Sequence, residues 1–198
     1  SVTYVPILLI VSFIFAIILN TKIKGKVIYR SMFYLPVVTS MAIIGVLMTF
    51  IFSGKGGPIN EILMMLNIID RPINWLGNPN YAMKSVVAVG VWRSTGIYMI
   101  YWLAGLQTIP KELYEAADVD GASFFDKLRH ITLPMLKKYV VIITLLATTV
   151  SLRVFSLVTT MTGGGPFKAT EVVTLFIYRN AFGSSGVPKV GYASAAAV

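Results

Sequence analysis

Two stretches of the chain carry no charged side chain: residues 1–21, SVTYVPILLIVSFIFAIILNT, and residues 31–54, SMFYLPVVTSMAIIGVLMTFIFSG. An α-helix rises about 1.5 Å per residue, so about 20 residues cross a hydrocarbon core of about 30 Å. Both stretches are long enough. The remaining composition agrees, with 56% apolar and 13% charged residues, about half the usual charged share for a globular domain. Too few charges remain to cover a water-facing surface. The expected class is an all-α, polytopic membrane protein.

The first stretch differs from a signal peptide: it lacks a starting Met and a basic leader, and no small-residue cleavage pattern follows. The chain ends inside an apolar run, GYASAAAV, and is expected to be the interior of a longer protein. The absence of Cys excludes disulfides, thiolate metal sites and a cysteine nucleophile. A net charge of +9 suits nucleic acid in a soluble protein; in a membrane protein topology accounts for it, and no nucleic-acid partner is expected.

Two further spans are predicted, Ser85 to Ile109, apolar apart from Arg93, and Tyr139 to Met161, apolar apart from Arg153. A last span begins near Val190. The segment Thr170 to Phe182 is shorter, carries Arg179, and reads as an interfacial or partly inserted helix. Lys22, Lys24, Lys26 and Arg30 follow the first span with no acid among them, which marks a cytoplasmic loop. Alternation then leaves nine Lys and Arg inside and six outside.

Between the third and fourth spans lies LQTIPKELYEAADVDGASFFDKLRHITLP, residues 106–134. It is cytoplasmic by the same alternation and holds the densest group of carboxylates. Two short helices are predicted in it. Pro110 fits a first helical turn, where its missing N–H costs nothing, and Glu112 suits the dipole there. Gly121 fits a left-handed cap. Ser123 can cap a second helix with Asp126 three residues on, a short capping box. Phe124 and Leu128 share a face, with Phe125 on a neighbouring one, and Pro134 marks the exit into the next span. The product is a helix–turn–helix elbow. Its charges suit a solvated loop; its consecutive phenylalanines suit a docking surface.

The pattern Glu115-Ala116-Ala117, three residues, Gly121, nine residues, Ile131, one residue, Leu133-Pro134 resembles the EAA loop. That loop is the signature of permease subunits of binding-protein-dependent ABC importers. The segments LAGLQTIPKELYEAADVDGA (residues 103–122), MTGGGP (161–166) and GYASAAAV resemble the carbohydrate-uptake branch, and within it the maltose-type first permease. The similarity runs from about Lys22 to the end. By that comparison a first helix and most of a last one are missing.

The resemblance implies a MetI-like permease helix bundle, one transmembrane domain over residues 1–198, with a cytoplasmic coupling elbow at about 107–136. It implies a prokaryotic cell membrane, a second permease subunit, two cytoplasmic ATP-binding subunits and an extracytoplasmic solute-binding protein. Coupling to the ATPase is then expected of Glu115, Ala116, Ala117, Asp120 and Gly121, and of Phe124, Phe125, Ile131, Leu133 and Pro134. Glu115 would make a polar contact and Gly121 the turn. No cofactor is expected on this chain, since ATP and Mg²⁺ would sit on the partners. No G-x-x-x-x-G-K-[ST] phosphate cradle occurs; GKGGP at Gly54 and GGGP at Gly163 read as turns. Asp118 and Asp120 lie in a wet loop and His130 lacks a ligand-spaced companion, so neither catalytic nor metal residues are expected.

A charge at bilayer depth costs about 2.5–3.5 kcal/mol on insertion scales and normally faces a bundle interior or a cavity. Arg93 and Arg153 fit that description. In the permeases the chain resembles, substrate contacts fall on the helices before and after the loop. The matching positions are Gly90, Arg93, Ser94 and Ile97, then Ala147, Val150, Ser151 and Val154, both spaced i, i+3, i+4, i+7. Helix packing is the alternative for each set, and packing or a gate for Arg153. Trp92, Tyr98, Tyr101 and Trp102 suit sugar stacking or interfacial anchoring.

The expected function is ATP-driven import of a sugar or oligosaccharide by alternating access. Arg93 also suits an acidic or phosphorylated ligand, so a glycerol-phosphate-like or polyol solute is the alternative. An ATP-independent channel or carrier is the rival of another class. Proton coupling would favour an acid within a span, and inverted repeats would be expected; no span contains an acid.

Overall fold

Helices in this chain end where the backbone loses a partner, and the breaks position everything else. The computed structural model describes residues 2–21, 25–183 and 188–197, and each regular element among them is helical. In order these are α1 (Tyr4–Asn20), α2 (Lys26–Val38), α3 (Met41–Ile51), α4 (Pro58–Met65), α5 (Pro79–Gln107), α6 (Lys111–Val119) and α7 (Phe124–Lys127). A π-helical turn (Leu128–Thr132) follows, then α8 (Leu133–Met135), α9 (Lys137–Leu152), α10 (Ser156–Met161), α11 (Val173–Phe182) and α12 (Val190–Ala197). Among the described residues α5 is long and apolar enough to cross a membrane unaided. Counting α2 with α3, and Phe124–Met135 with α9, as broken spans raises the number to three. Lys22 and Lys24, on which the loop orientation partly rests, lie outside the described residues.

The expected second and fourth spans are both interrupted. The second breaks at Thr39–Ser40. α2 continues past Pro36, which lies inside it, to Val38, and Ser40 then takes the extended ψ of 134° that starts α3. The fourth breaks at Arg153–Phe155. The freed carbonyl of Val154 is taken by the Thr174 hydroxyl at 2.5 Å, so the exposed backbone group is not orphaned. Arg153 therefore sits in a break and not within a helical span.

The described residues pack as two compact units, Ser1–Val38 with Trp92–Thr149, and Thr39–Val91 with Val150–Val198. Lipid removes most of the hydrophobic drive between helices, leaving close packing and hydrogen bonds to hold them. In the first unit Trp102 Nε1 donates to Ser12 Oγ at 3.1 Å, both buried. The Phe13 and Trp102 rings lie 5.0 Å apart, and those of Phe15 and Phe33 4.6 Å. At Gly96 a Cβ would stand 2.0 Å from the Phe33 carbonyl oxygen, so α5 and α2 meet backbone to backbone.

The second unit centres on Ile44, Val86, Val89, Leu157, Val158, Met161 and Leu175. Gly45 admits Thr160 so closely that a Cβ would lie 1.7 Å from its hydroxyl. Arg179 ties the Gly163–Pro166 turn down, donating to Glu171 at 2.9 Å and to the Gly163 carbonyl. Asn180 accepts the Lys189 amide on its carbonyl at 2.8 Å, and Phe176 meets Tyr192 at 5.8 Å between ring centres.

Candidate functional site

The elbow is built from the first unit alone. Pro110 takes φ −58° and ψ 136° and precedes the first turn of α6 instead of entering it; its extended ψ starts the helix at Lys111. At the other end the Ala122 amide bonds back to the Ala117 carbonyl at 2.9 Å, and the Gly121 amide to Asp118 at 3.1 Å. This double closure is a Schellman motif, and it needs the left-handed φ of +73° that Gly121 adopts.

One residue later the next helix is capped. The Asp126 amide donates to Ser123 Oγ at 3.3 Å, and the Ser123 amide donates to the Asp126 carboxylate at 3.0 Å. The Ser123 hydroxyl also reaches that carboxylate at 2.5 Å. These bonds, the hydroxyl's first, hold the Asp126 carboxyl below the usual carboxylate range. His130 Nδ1 lies 3.0 Å from the Asp126 carbonyl.

Two contacts without a local sequence signal close the elbow. Lys127 pairs with Asp118 across the turn, and the Tyr114 and Thr132 hydroxyls meet at 2.8 Å. Pro134 does not mark the exit into α9. The widened π turn before it gives the Leu133 amide the Leu128 carbonyl, letting the chain pass a residue that lacks an N–H. The bend comes at Leu136, where Phe124–Met135 and α9 diverge by 67°.

The closed turn displays an apolar surface. Val119 is 88% exposed and Phe125 76%, with Phe124, Leu133 and Leu113 also exposed. The Phe124 and Phe125 rings meet edge to face at 5.6 Å. Glu115, Ala116, Asp120, Gly121 and Pro134 are exposed, Ala117 and Ile131 half-buried. A groove of about 260 Å³ runs beside the elbow, lined by Ile17, Thr21, Leu106, Tyr114, Phe124 and Leu128 among others.

The remaining predicted residues fall separately. Gly90 is buried on the part of α5 that belongs to the second unit. Arg93 Nη2 donates to the Val37 carbonyl at 3.1 Å, in the last turn of α2, where carbonyls lack helical partners and a cation is favoured. Ser94 is buried and accepts the Tyr4 hydroxyl at 2.9 Å; Ile97 is half-buried. The geometry thus gives Arg93 and Ser94 packing partners within the chain. Of the four aromatics, Trp102 and Tyr98 are buried while Trp92 and Tyr101 are exposed. Ala147 is buried, Val150 exposed and Ser151 half-buried on α9. Val154 lies beyond the end of α9, so the helical spacing that grouped it with Ser151 does not hold.

A model of the family described as the binding-protein-dependent transport system inner membrane component matches residues 3–198. The probable ABC transporter permease protein YurN of Bacillus subtilis is 38% identical over 186 residues, 93% of this chain and 63% of that protein. The trehalose/maltose transport system permease protein MalF of Thermococcus litoralis is 38% identical over 164 residues, 83% of this chain and 55% of its own length. The lactose transport system permease protein LacF of Rhizobium radiobacter is 35% identical over 196 residues, 98% of this chain and 65% of its own. The chain thus spans between 55% and 65% of these relatives. A solved bacterial ABC transporter involved in the import of the acidic polysaccharide alginate shares the fold. The TM-score is 0.84 over 99% of this chain and 69% of that one, at 22% identity.

Proposed function

Because the chain belongs to the family of binding-protein-dependent transport system inner membrane components, we propose that it works as a permease subunit of an ATP-driven ABC importer. Its cargo is a sugar or oligosaccharide, moved across the cell membrane by alternating access. The cargoes named for two relatives, trehalose or maltose and lactose, support that substrate class. A second permease subunit, two ATP-binding subunits that hydrolyse ATP, and a solute-binding protein complete the assembly.

In this reading the elbow is cytoplasmic and docks on an ATP-binding subunit. The carrying observation is rigidity combined with exposure: a turn closed from both sides holds Val119, Phe124 and Phe125 outward. Glu115 supplies the polar contact, and Ala116, Ala117, Asp120, Ile131, Leu133 and Pro134 shape the surface around it. Substrate contact is assigned, within the first unit, to Arg93, Ser94 and Ile97 and, separately within the second, to Gly90, Val150, Ser151 and Val154; Arg93 also holds the end of α2.

The test is reconstitution of the full-length protein with its co-purifying subunits and measurement of ATP hydrolysis beside sugar uptake. Glu115 is exposed, so Glu115→Lys removes no packing. The variant is expected to keep hydrolysis while uptake falls at least tenfold. Normal uptake would end the coupling assignment.

A further inference from the structure

Apart from the elbow of the first unit, the second unit shows an apolar surface of its own on the short helix α4 and the turn that follows it. Ile62, Met65, Leu66 and Ile68 are between 56% and 83% exposed, four large apolar side chains within seven residues. They cannot turn inward. Asn60, two residues before Ile62 and so on the opposite side of the same helix, is buried and locked from both ends of its amide. Its Nδ2 donates to the carbonyls of Ser53 at 3.1 Å, Gly54 at 3.3 Å and Ile73 at 2.9 Å. Its Oδ1 accepts the Ile73 amide at 3.1 Å and Trp75 Nε1 at 2.9 Å. The rotation of α4 about its axis is therefore fixed, with the apolar face out.

The surroundings say what covers that face. An eight-residue helix is about 12 Å long, far short of a bilayer core, yet α4 is tethered between the apolar α3 and the membrane-length α5. Beside it stand the residues that mark a membrane–water boundary. Trp75 and Tyr81 meet edge to face at 5.7 Å, Phe52 and Trp75 at 6.1 Å, and Lys84 lies 5.8 Å from the centre of the Tyr81 ring. Protein docking sites draw their energy from Trp, Tyr and Arg. Here Trp75 is engaged inside the loop, and the outward set is aliphatic and thioether only. A short helix with one buried polar anchor and one aliphatic face suits the headgroup–acyl boundary.

We propose that α4 and the turn to Ile68 form an interfacial anchor that seats the apolar face Ile62, Met65, Leu66 and Ile68 in the phospholipid bilayer. The anchor fixes the depth at which the loop between α3 and α5 stands. It rests on the chain being a membrane component and is independent of the substrate and of ATPase coupling, so it can fail without them.

These 198 residues hold no Cys; with any Cys elsewhere in the full-length protein and its partner subunits replaced by Ser, single-cysteine reporters can be placed. Met65→Cys, Leu66→Cys and Lys55→Cys (an exposed position outside the apolar face) carry an environment-sensitive fluorophore in the full-length protein. The protein is assembled with its partner subunits in phosphatidylethanolamine–phosphatidylglycerol vesicles. Phospholipid bearing a nitroxide at the fifth acyl carbon is then added to the mixture. The two apolar-face reporters are expected to be quenched at least threefold more than the Lys55→Cys reporter, in the presence or absence of the solute-binding protein. Equal quenching at all three positions overturns the proposal. So does quenching that appears only when partner subunits are removed, which would make the face a protein interface.

Discussion

Gly121 offers a test in which conformation can be separated from space. Its φ of +73° lies where a Cβ crowds the residue's own backbone. A Cβ built there meets nothing else within 4 Å, so the whole penalty of a side chain is torsional. For an L-residue that penalty is about 1–2 kcal/mol, a factor of about 5–30 in the population of the closed turn. Opening releases the Ala122 amide from the Ala117 carbonyl and the Gly121 amide from Asp118. In Gly121→Val the Ala122 amide should therefore exchange with deuterium about 5–30 times faster than in the parent, while amides around buried Leu103 of α5 keep their rates. Gly121→Asn separates the causes, because Asn tolerates the left-handed region; its exchange should stay close to that of the parent. Equal acceleration by Asn and Val, or none by Val, would refute the argument from backbone torsion.

Two further perturbations follow from the same elements. Gly96→Ala drives a Cβ to 2.0 Å from the Phe33 carbonyl oxygen, a backbone atom, whereas Gly105→Ala meets side-chain atoms, Leu136 Cδ2 at 2.8 Å and Tyr139 Cγ at 2.9 Å. Thermal unfolding in detergent should show Gly96→Ala destabilised by about 1–3 kcal/mol and Gly105→Ala by less. Asp126 titrates low because Ser123 donates to its charged form, so the cap is complete above the ordinary carboxylate range. Its contribution is lost only as pH falls through the lowered value. Ser123→Ala should raise the Asp126 titration toward the ordinary range, read by carboxyl-carbon NMR.

The elbow was legible because its determinants are local. Gly121, Ser123 and Asp126 lie within six positions, and each acts on backbone groups at most five residues away. The broken spans were hidden for the opposite reason. A charge-free run satisfies the length criterion whether or not its helix is continuous, and the groups that make a break tolerable come from far along the chain. Val37 is served by Arg93, 56 residues on, and Val154 by Thr174, 20 residues on. Pro36 followed by Thr39–Ser40 was the available sign of the first break. For Arg93 the sequence left pathway and packing open; its bond to α2 is a tertiary fact that no spacing encodes. Pro134 misled because a π turn, which has no composition signature, absorbed it.

The back-to-back closure at Gly121 and Ser123 has a consequence for recognition. In the proposed docking, a segment whose bend is written into its own covalent sequence would reach the ATP-binding subunit with its turn already closed, leaving little ordering for the encounter. In the proposed coupling role such a preorganised knob would act as a rigid cog: displacement of the ATP-binding subunit would pass on as displacement of the chain, with little slack lost to refolding the contact.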